Sequence, residues 1–155
     1  MAVLSLAAVH NDPADSWARA AVLLRDAGRL TAEDARRLRW LDAFGALIGN
    51  PDRHQYNVVF FAEDTGLRLA SAFDQVSIIY APSADGQVPS RALALPYATG
   101  DTLDVWDDAR AAAREFWRRA SDDSRVSDGV RSLCAATATA LAQVESGSRD
   151  TRIVS

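Results

Sequence analysis

Hydrophobic positions along the chain fall into helical stripes at both ends and two short apolar runs in the middle. Residues 14–27 put Trp17, Ala21 and Leu24 on one helical face, and Gly28 stands where such a helix would end. "LTAEDARRLRWLDAFGALIG", residues 30–49, predicts a second helix. Thr31 is placed to cap it, with Glu33 and Asp34 in the first turn, where the helix dipole favours acids. Leu38, Leu41 and Phe44 make its stripe, and Trp40 and Leu47 widen it enough to imply a buried central helix. Gly49-Asn50-Pro51 then breaks the pattern.

"NVVFF" and "LRLAS", residues 57–61 and 67–71, predict two strands joined through "AEDTG" as a hairpin. Residues 73–100 are long and irregular, with Pro82, Gly86, Pro89 and Pro96 opposing regular structure, and a loop of this length is usually functional or disordered. Helical spacing returns in residues 102–121, through Trp106, Ala109, Ala113 and Phe116. It returns again in residues 128–144, through Val130, Leu133, Thr137, Leu141 and Val144. From Ser146 the chain is polar, and residues 147–155 are expected to be a disordered tail. The fold class expected is mostly α with a small β-hairpin, an α+β domain over residues 1–146.

Composition narrows the function more than the fold. A chain of 155 residues, 48% hydrophobic, has material for one cored domain. No apolar run is long enough to span a membrane. The opening "MAVLSLAAVHND" lacks a basic segment and a cleavage site, so it reads as mature sequence. A single cysteine, Cys134, rules out an internal disulfide and points to a reducing, cytoplasmic setting; on an apolar helix face it is expected to be a core thiol. The net charge of −4 does not favour direct binding of nucleic acid. Arg36, Arg37 and Arg39, like Arg118 and Arg119, alternate with acids on helices and are expected to form salt-bridged surfaces. His10 and His54 lie far apart and give no zinc site with one cysteine. All 17 basic residues are arginine, which removes every mechanism that needs a lysine amine.

The chemistry concentrates in "NPDRHQYN", residues 50–57. Asp52 and Asn57 fit the D-x-x-x-x-N template of a kinase catalytic loop, in which the acid takes the proton of the attacking hydroxyl and the amide oxygen binds Mg²⁺. A second metal ligand is needed. Asp74, in "SAFDQ" just past the second strand, is the candidate, because the start of one hairpin strand and the end of the other lie side by side. Packing offers plainer readings: Asp52 as a turn residue, Asn57 as an amide at the start of a strand, Asp74 as a loop cap. Arg53 is expected to pair with a carboxylate and His54 is open between a structural and a nucleotide-facing role.

Taken together, "RRLRWLDAFGALIGN", "NPDRHQYN", the hairpin, "SAFDQ" and "IIYAP" resemble the C-terminal lobe of HipA-type toxins, bacterial serine/threonine kinases of toxin–antitoxin systems. The resemblance covers nearly the whole chain. It implies a protein-kinase-like C-lobe using ATP and Mg²⁺, with Asp52 as catalytic base, Asn57 and Asp74 as metal ligands, and His54 and Phe73 against the nucleotide. It implies a protein substrate, and an antitoxin or a chain bearing an N-lobe as partner. Complete members carry an N-lobe with a glycine-rich loop and an ATP-contacting lysine; this sequence holds neither, so it amounts to half a site. Two alternatives remain open at this level: a catalytically inactive remnant or split-kinase subunit that binds a partner, and a lipid or small-molecule kinase, since phosphatidylinositol kinases share a D-R-H-x-x-N loop.

Overall fold

A computed structural model describes residues 2–143 of the chain. Val144 of the last predicted stripe and the predicted tail, residues 147–155, lie outside the described residues. The elements in order are β1 (Ala2–Ser5), α1 (Leu6–Val9), α2 (Trp17–Asp26), α3 (Ala32–Leu47), β2 (Val59–Glu63), β3 (Gly66–Leu69), α4 (Trp106–Asp122) and α5 (Asp128–Gln143). Short 3₁₀ turns at Gln55–Asn57 and Ile78–Tyr80 interrupt the connecting segments. The domain is α+β and mostly helical, as the periodicity implies.

Helix starts follow local chemistry. Ser16 Oγ accepts the Arg19 amide at 3.1 Å and Thr31 Oγ1 accepts the Asp34 amide at 3.1 Å, each satisfying an N–H that the helix itself leaves free. α2 therefore starts at Trp17 rather than at residue 14, where an aspartate turn (Ala14 N to Asp12 Oδ1, 2.9 Å) occupies the chain. α4 likewise starts at Trp106 rather than at residue 102, because Thr102 Oγ1 accepts the Thr99 amide at 2.9 Å and closes a separate turn ahead of it.

The sheet has one strand more than the hairpin. β1 pairs antiparallel with β2 through Val3–Phe61 and Leu4–Phe60, and β2 pairs with β3 through Phe60–Leu69. β2 is thus the central strand, and its Phe60 is fully buried. β3 is fastened to the helices at two points. The Leu67 amide donates to Arg29 O at 2.8 Å, and the buried Asp34 carboxylate of α3 accepts the Leu69 amide at 2.9 Å. Gly66, with φ of 145°, is needed there, since a Cβ would sit 2.8 Å from Arg29 O.

α3 divides two cores. Ala35 and Leu38 pack with Leu6, Trp17, Leu24 and Phe60 on one side. Ala43 and Leu47 pack with Val105, Ala113, Trp117 and Leu141 on the other. A helix with partners on two sides keeps only a narrow solvent face, here Glu33, Arg36 and Arg37 in its first half, which accounts for its wide apolar face. Trp117 closes the second core: its Nε1–H donates to Leu47 O at 3.0 Å, and its ring meets Tyr80 and Phe116 edge-on, with centroids 5.6 and 5.1 Å away. The arginines on the helix surfaces pair with acids: Arg36 with Asp108, Arg37 with Glu33, Arg39 with Asp104, Arg118 and Arg119 with Glu115. No helix among the described residues is long and apolar enough to cross a membrane.

Two expectations follow. Trp117→Phe keeps the ring contacts but leaves Leu47 O unpaired, and should cost about 1–3 kcal/mol in urea unfolding. Cys134 is 2% exposed, and burial pushes its thiol above the ordinary range. A thiol reagent such as DTNB should therefore label native protein only as fast as the second core opens, and label urea-unfolded protein at once.

Candidate functional site

The site is built on the way α3 ends. The Gly49 amide donates to Ala46 O at 3.1 Å and the Asn50 amide to Gly45 O at 2.9 Å, with Gly49 at φ of 71°. This pair of bonds about a left-handed residue is a Schellman motif, and it turns the chain sharply out of the helix. A Cβ at Gly49 would also lie 2.6 Å from Ile79 Cγ2. Pro51 follows, and the loop runs through the 3₁₀ turn into β2.

Four side chains then hold the loop in place. Arg53 reaches back under it: Nε donates to Asp42 Oδ1 at 3.0 Å, and a terminal nitrogen donates to Asn50 O. The other oxygen of Asp42 accepts the buried Ala18 amide of α2 at 3.0 Å. Gly45 makes room for this arm, since a Cβ there would meet Arg53 Cδ at 2.7 Å. Trp17 Nε1–H donates to His54 O at 3.1 Å, and Gln55 Nε2 donates to Asp12 O at 2.6 Å. The expected carboxylate partner of Arg53 is thus Asp42.

The predicted site residues gather on the exposed side of this frame. Asn57 Nδ2 donates to Asp52 O at 2.9 Å and lies 3.5 Å from Asp74 Oδ2. Nδ2 thus has two acceptors in reach, which leaves Asn57 Oδ1 for another partner. Asp52 and His54 side chains are about half exposed, with His54 Nε2 3.6 Å from Asp52 Oδ1. His54 also meets Tyr56 edge-on, centroids 6.0 Å apart. Phe73 is 43% exposed and borders a small crevice with Asn57, Leu69 and Ala70. Asp74 has φ of 56°, a left-handed backbone that non-glycine residues seldom adopt; Asp tolerates it better than most.

Asn50 ties the halves together. It is 1% exposed; its Oδ1 accepts the Asp52 amide at 3.0 Å and its Nδ2 donates to Asp74 O at 3.2 Å. In sequence Asn50 is part of a helix breaker and Trp17 part of a helical stripe, and Asp42 carries no local signal. Apart from the local bond of Asn50 to the Asp52 amide, their contacts are to backbone atoms 24 to 37 residues distant, or to a side chain 11 away, and no local pattern announces those.

Comparison with known proteins decides the family. The HipA-like C-terminal domain model matches residues 1–143. The chain belongs to the HipA-like C-terminal domain family. It is 25% identical over 146 residues to Toxin YjjJ of Escherichia coli (strain K12), covering 92% of this chain and 33% of that protein. The chain therefore spans about a third of the length of the curated relative it matches. No solved structure matches it. The α+β architecture is that of a kinase-like C-terminal domain, and the hairpin is here the central strand and one edge strand of a three-stranded sheet.

Arg53→Ala should leave the Asp42 carboxylate, whose side chain is 10% exposed, without its cation. Breaking a fully buried pair costs ~3–5 kcal/mol, and partial exposure of Arg53 brings the expected loss to about 2–3 kcal/mol. Urea unfolding measures it, and Arg53→Lys should recover only part, because one ammonium cannot serve both Asp42 and Asn50 O in the same geometry.

Proposed function

We propose that this chain is the C-terminal lobe, residues 1–146, of a HipA-like toxin kinase that transfers the γ-phosphoryl group of ATP to a serine or threonine of a protein. The observation that carries the reading is Asn57 Nδ2, held between Asp52 O at 2.9 Å and Asp74 Oδ2 at 3.5 Å. One amide ties the backbone of Asp52, in the loop, to the carboxylate of Asp74, past the hairpin, and so supports the two residues sharing one face, as a phosphoryl-transfer site needs.

Asp52 serves as base. Its carboxylate is about half exposed, so an incoming hydroxyl can reach it. As the hydroxyl oxygen bonds to the γ-phosphorus, Asp52 takes its proton, and the bond to the bridging oxygen of the leaving ADP breaks. The donor set near it fits Mg²⁺: the Asp74 carboxylate and Asn57 Oδ1 are hard oxygen ligands, and Mg²⁺ typically takes one or two carboxylates with phosphate oxygens completing its shell. Bound there, Mg²⁺ would neutralise charge on the phosphates. His54 and Phe73 border the same exposed face and are assigned to the nucleotide side.

The missing share of the machinery is cationic. All 17 basic residues are arginine, and Arg53, the one in the loop, is committed to Asp42. Catalysis is therefore assigned to this lobe together with an N-lobe, in the same polypeptide or from a partner chain. The lack of any lysine also favours a second reading, a non-catalytic lobe that binds a partner.

Calorimetry with Mg-ATP should show magnesium-dependent binding to the wild type and none to Asp74→Ala. Supplied with an N-lobe, the wild type should phosphorylate protein, and Asp52→Ala should lower the rate by ~10²–10⁴-fold, the range for loss of a general base. Undiminished activity in Asp52→Ala would remove Asp52 from that role. Binding absent from the wild type, with and without an N-lobe, would shift the assignment to the partner-binding lobe.

A further inference from the structure

We infer that Asn50 is a positioning residue that sets Asp74 and Asp52 relative to each other, and so fixes the affinity of the site for a divalent cation. The inference rests on the reading of Asp74 and Asn57 as metal ligands.

Asn50 directly follows the left-handed Gly49 that ends α3, and its backbone is fixed by the Schellman bond to Gly45 O and by Arg53 donating to its own carbonyl. Its side chain is then aimed into the protein, 1% exposed, between two loops. A buried amide costs free energy unless both ends are bonded. Here both are. Oδ1 takes the Asp52 amide at 3.0 Å, and Nδ2 gives to Asp74 O at 3.2 Å. Those two partners dictate which end is oxygen and which is nitrogen.

The bond to Asp74 falls where the backbone is least settled by its own preferences. Asp74 stands at φ of 56° in a segment with no ladder partner, just beyond Leu69, the last residue of β3. A left-handed residue costs of order 1 kcal/mol and persists when its surroundings determine it. Asn50 supplies a fixed donor for the Asp74 carbonyl, and Asn57 the contact to its carboxylate. With the carbonyl held, the carboxylate is held toward Asn57. A packing role alone would ask for an apolar side chain of the same size, which would bind neither loop.

Asn50→Asp and Asn50→Ala separate the two ends. The aspartate keeps an oxygen for the Asp52 amide but loses the donor to Asp74 O; the alanine loses both. The full chain is titrated with Mn²⁺, a paramagnetic stand-in for Mg²⁺, and free ion is followed by electron paramagnetic resonance, with circular dichroism confirming the folded fraction. Hydrogen exchange follows the Asp52 amide in parallel. Wild type should bind Mn²⁺, and Asn50→Asp should weaken binding by ~10–100-fold, the usual effect of removing a partner that orients a metal ligand. Asn50→Asp should also keep the Asp52 amide protected, whereas Asn50→Ala should lose both the affinity and the protection.

Wild-type affinity in folded Asn50→Asp, with binding lost in Asp74→Asn, would overturn the role of Asn50 while leaving the metal site intact. Equal binding by wild type and Asp74→Asn, or none by wild type, would overturn the metal site and the cation half of the inference with it. Should the Asn50 variants not fold, the wild-type Asp52 amide still decides the positioning half. Its slow exchange, despite the exposed side chain, supports the bond to Asn50, and exchange at the free-peptide rate refutes it.

Discussion

The constraint on which this domain depends is the ion pair between Asp42 and Arg53. Asp42 stands on α3 with one oxygen on the Ala18 amide of α2 and the other on Arg53 Nε. Arg53 continues to Asn50 O, so one carboxylate and one guanidinium connect two helices to the loop that leaves the second. A buried or half-buried pair gains little net stability against apolar side chains of the same size, because both ions give up water. What it supplies is position. A guanidinium has a fixed planar fork, and once one edge is on Asp42 the other can meet Asn50 O in one place only. Gly45 belongs to the same device, because a methyl group there would displace the arm.

From that anchor the loop inherits its shape in steps. The Asn50 backbone is fixed, so its amide is fixed, and the Asp52 and Asp74 backbones follow. Trp17 and Gln55 hold the far side of the loop to α2 and to the segment before it. The exposed carboxylates thus stand on a base whose every support is at least partly buried. Such a site has rigid backing with accessible chemistry, which pre-organisation demands.

Much of this was legible in the sequence, and the reasons differ by element. The four long helices and the hairpin carry period and punctuation, and Thr31 and Gly49 do at the ends of α3 what their chemistry allows. The compound pattern around Asp52, Asn57 and Asp74 was legible because hairpin geometry alone makes the start of one strand and the end of the next neighbours. β1 was not. "AVLS" is four residues long, lacks alternation, and is a strand only because β2 offers it an edge nearly 60 residues later. Asp42, Trp17 and Asn50 escaped notice for the same reason: each acts through a backbone atom distant in the chain, and a single sequence shows no trace of such a bond. Long-range polar contacts are set by the finished fold, whereas caps, turns and stripes are set by neighbours.

Charge settles how such a site could meet a nucleotide. Its two exposed carboxylates, Asp52 and Asp74, would repel a triphosphate, and the guanidinium of the loop, Arg53, is spent on Asp42. Left to its own side chains, this face would reject the phosphates it is assigned to handle. On the proposed reading, Asp74 and Asn57 would hold a divalent cation, whose charge would reverse the sign locally. On that reading the cation would cancel the repulsion of Asp74 and give the phosphates a fixed point against the hairpin, a share of the work that falls to this lobe rather than to an N-lobe. A lobe that only bound a partner would have no need to hold two acids together over a buried amide. The cost of that arrangement, a buried Asn50 and a left-handed Asp74, is borne by a feature that packing alone does not require. That asymmetry is the physical argument for reading the loop as chemistry.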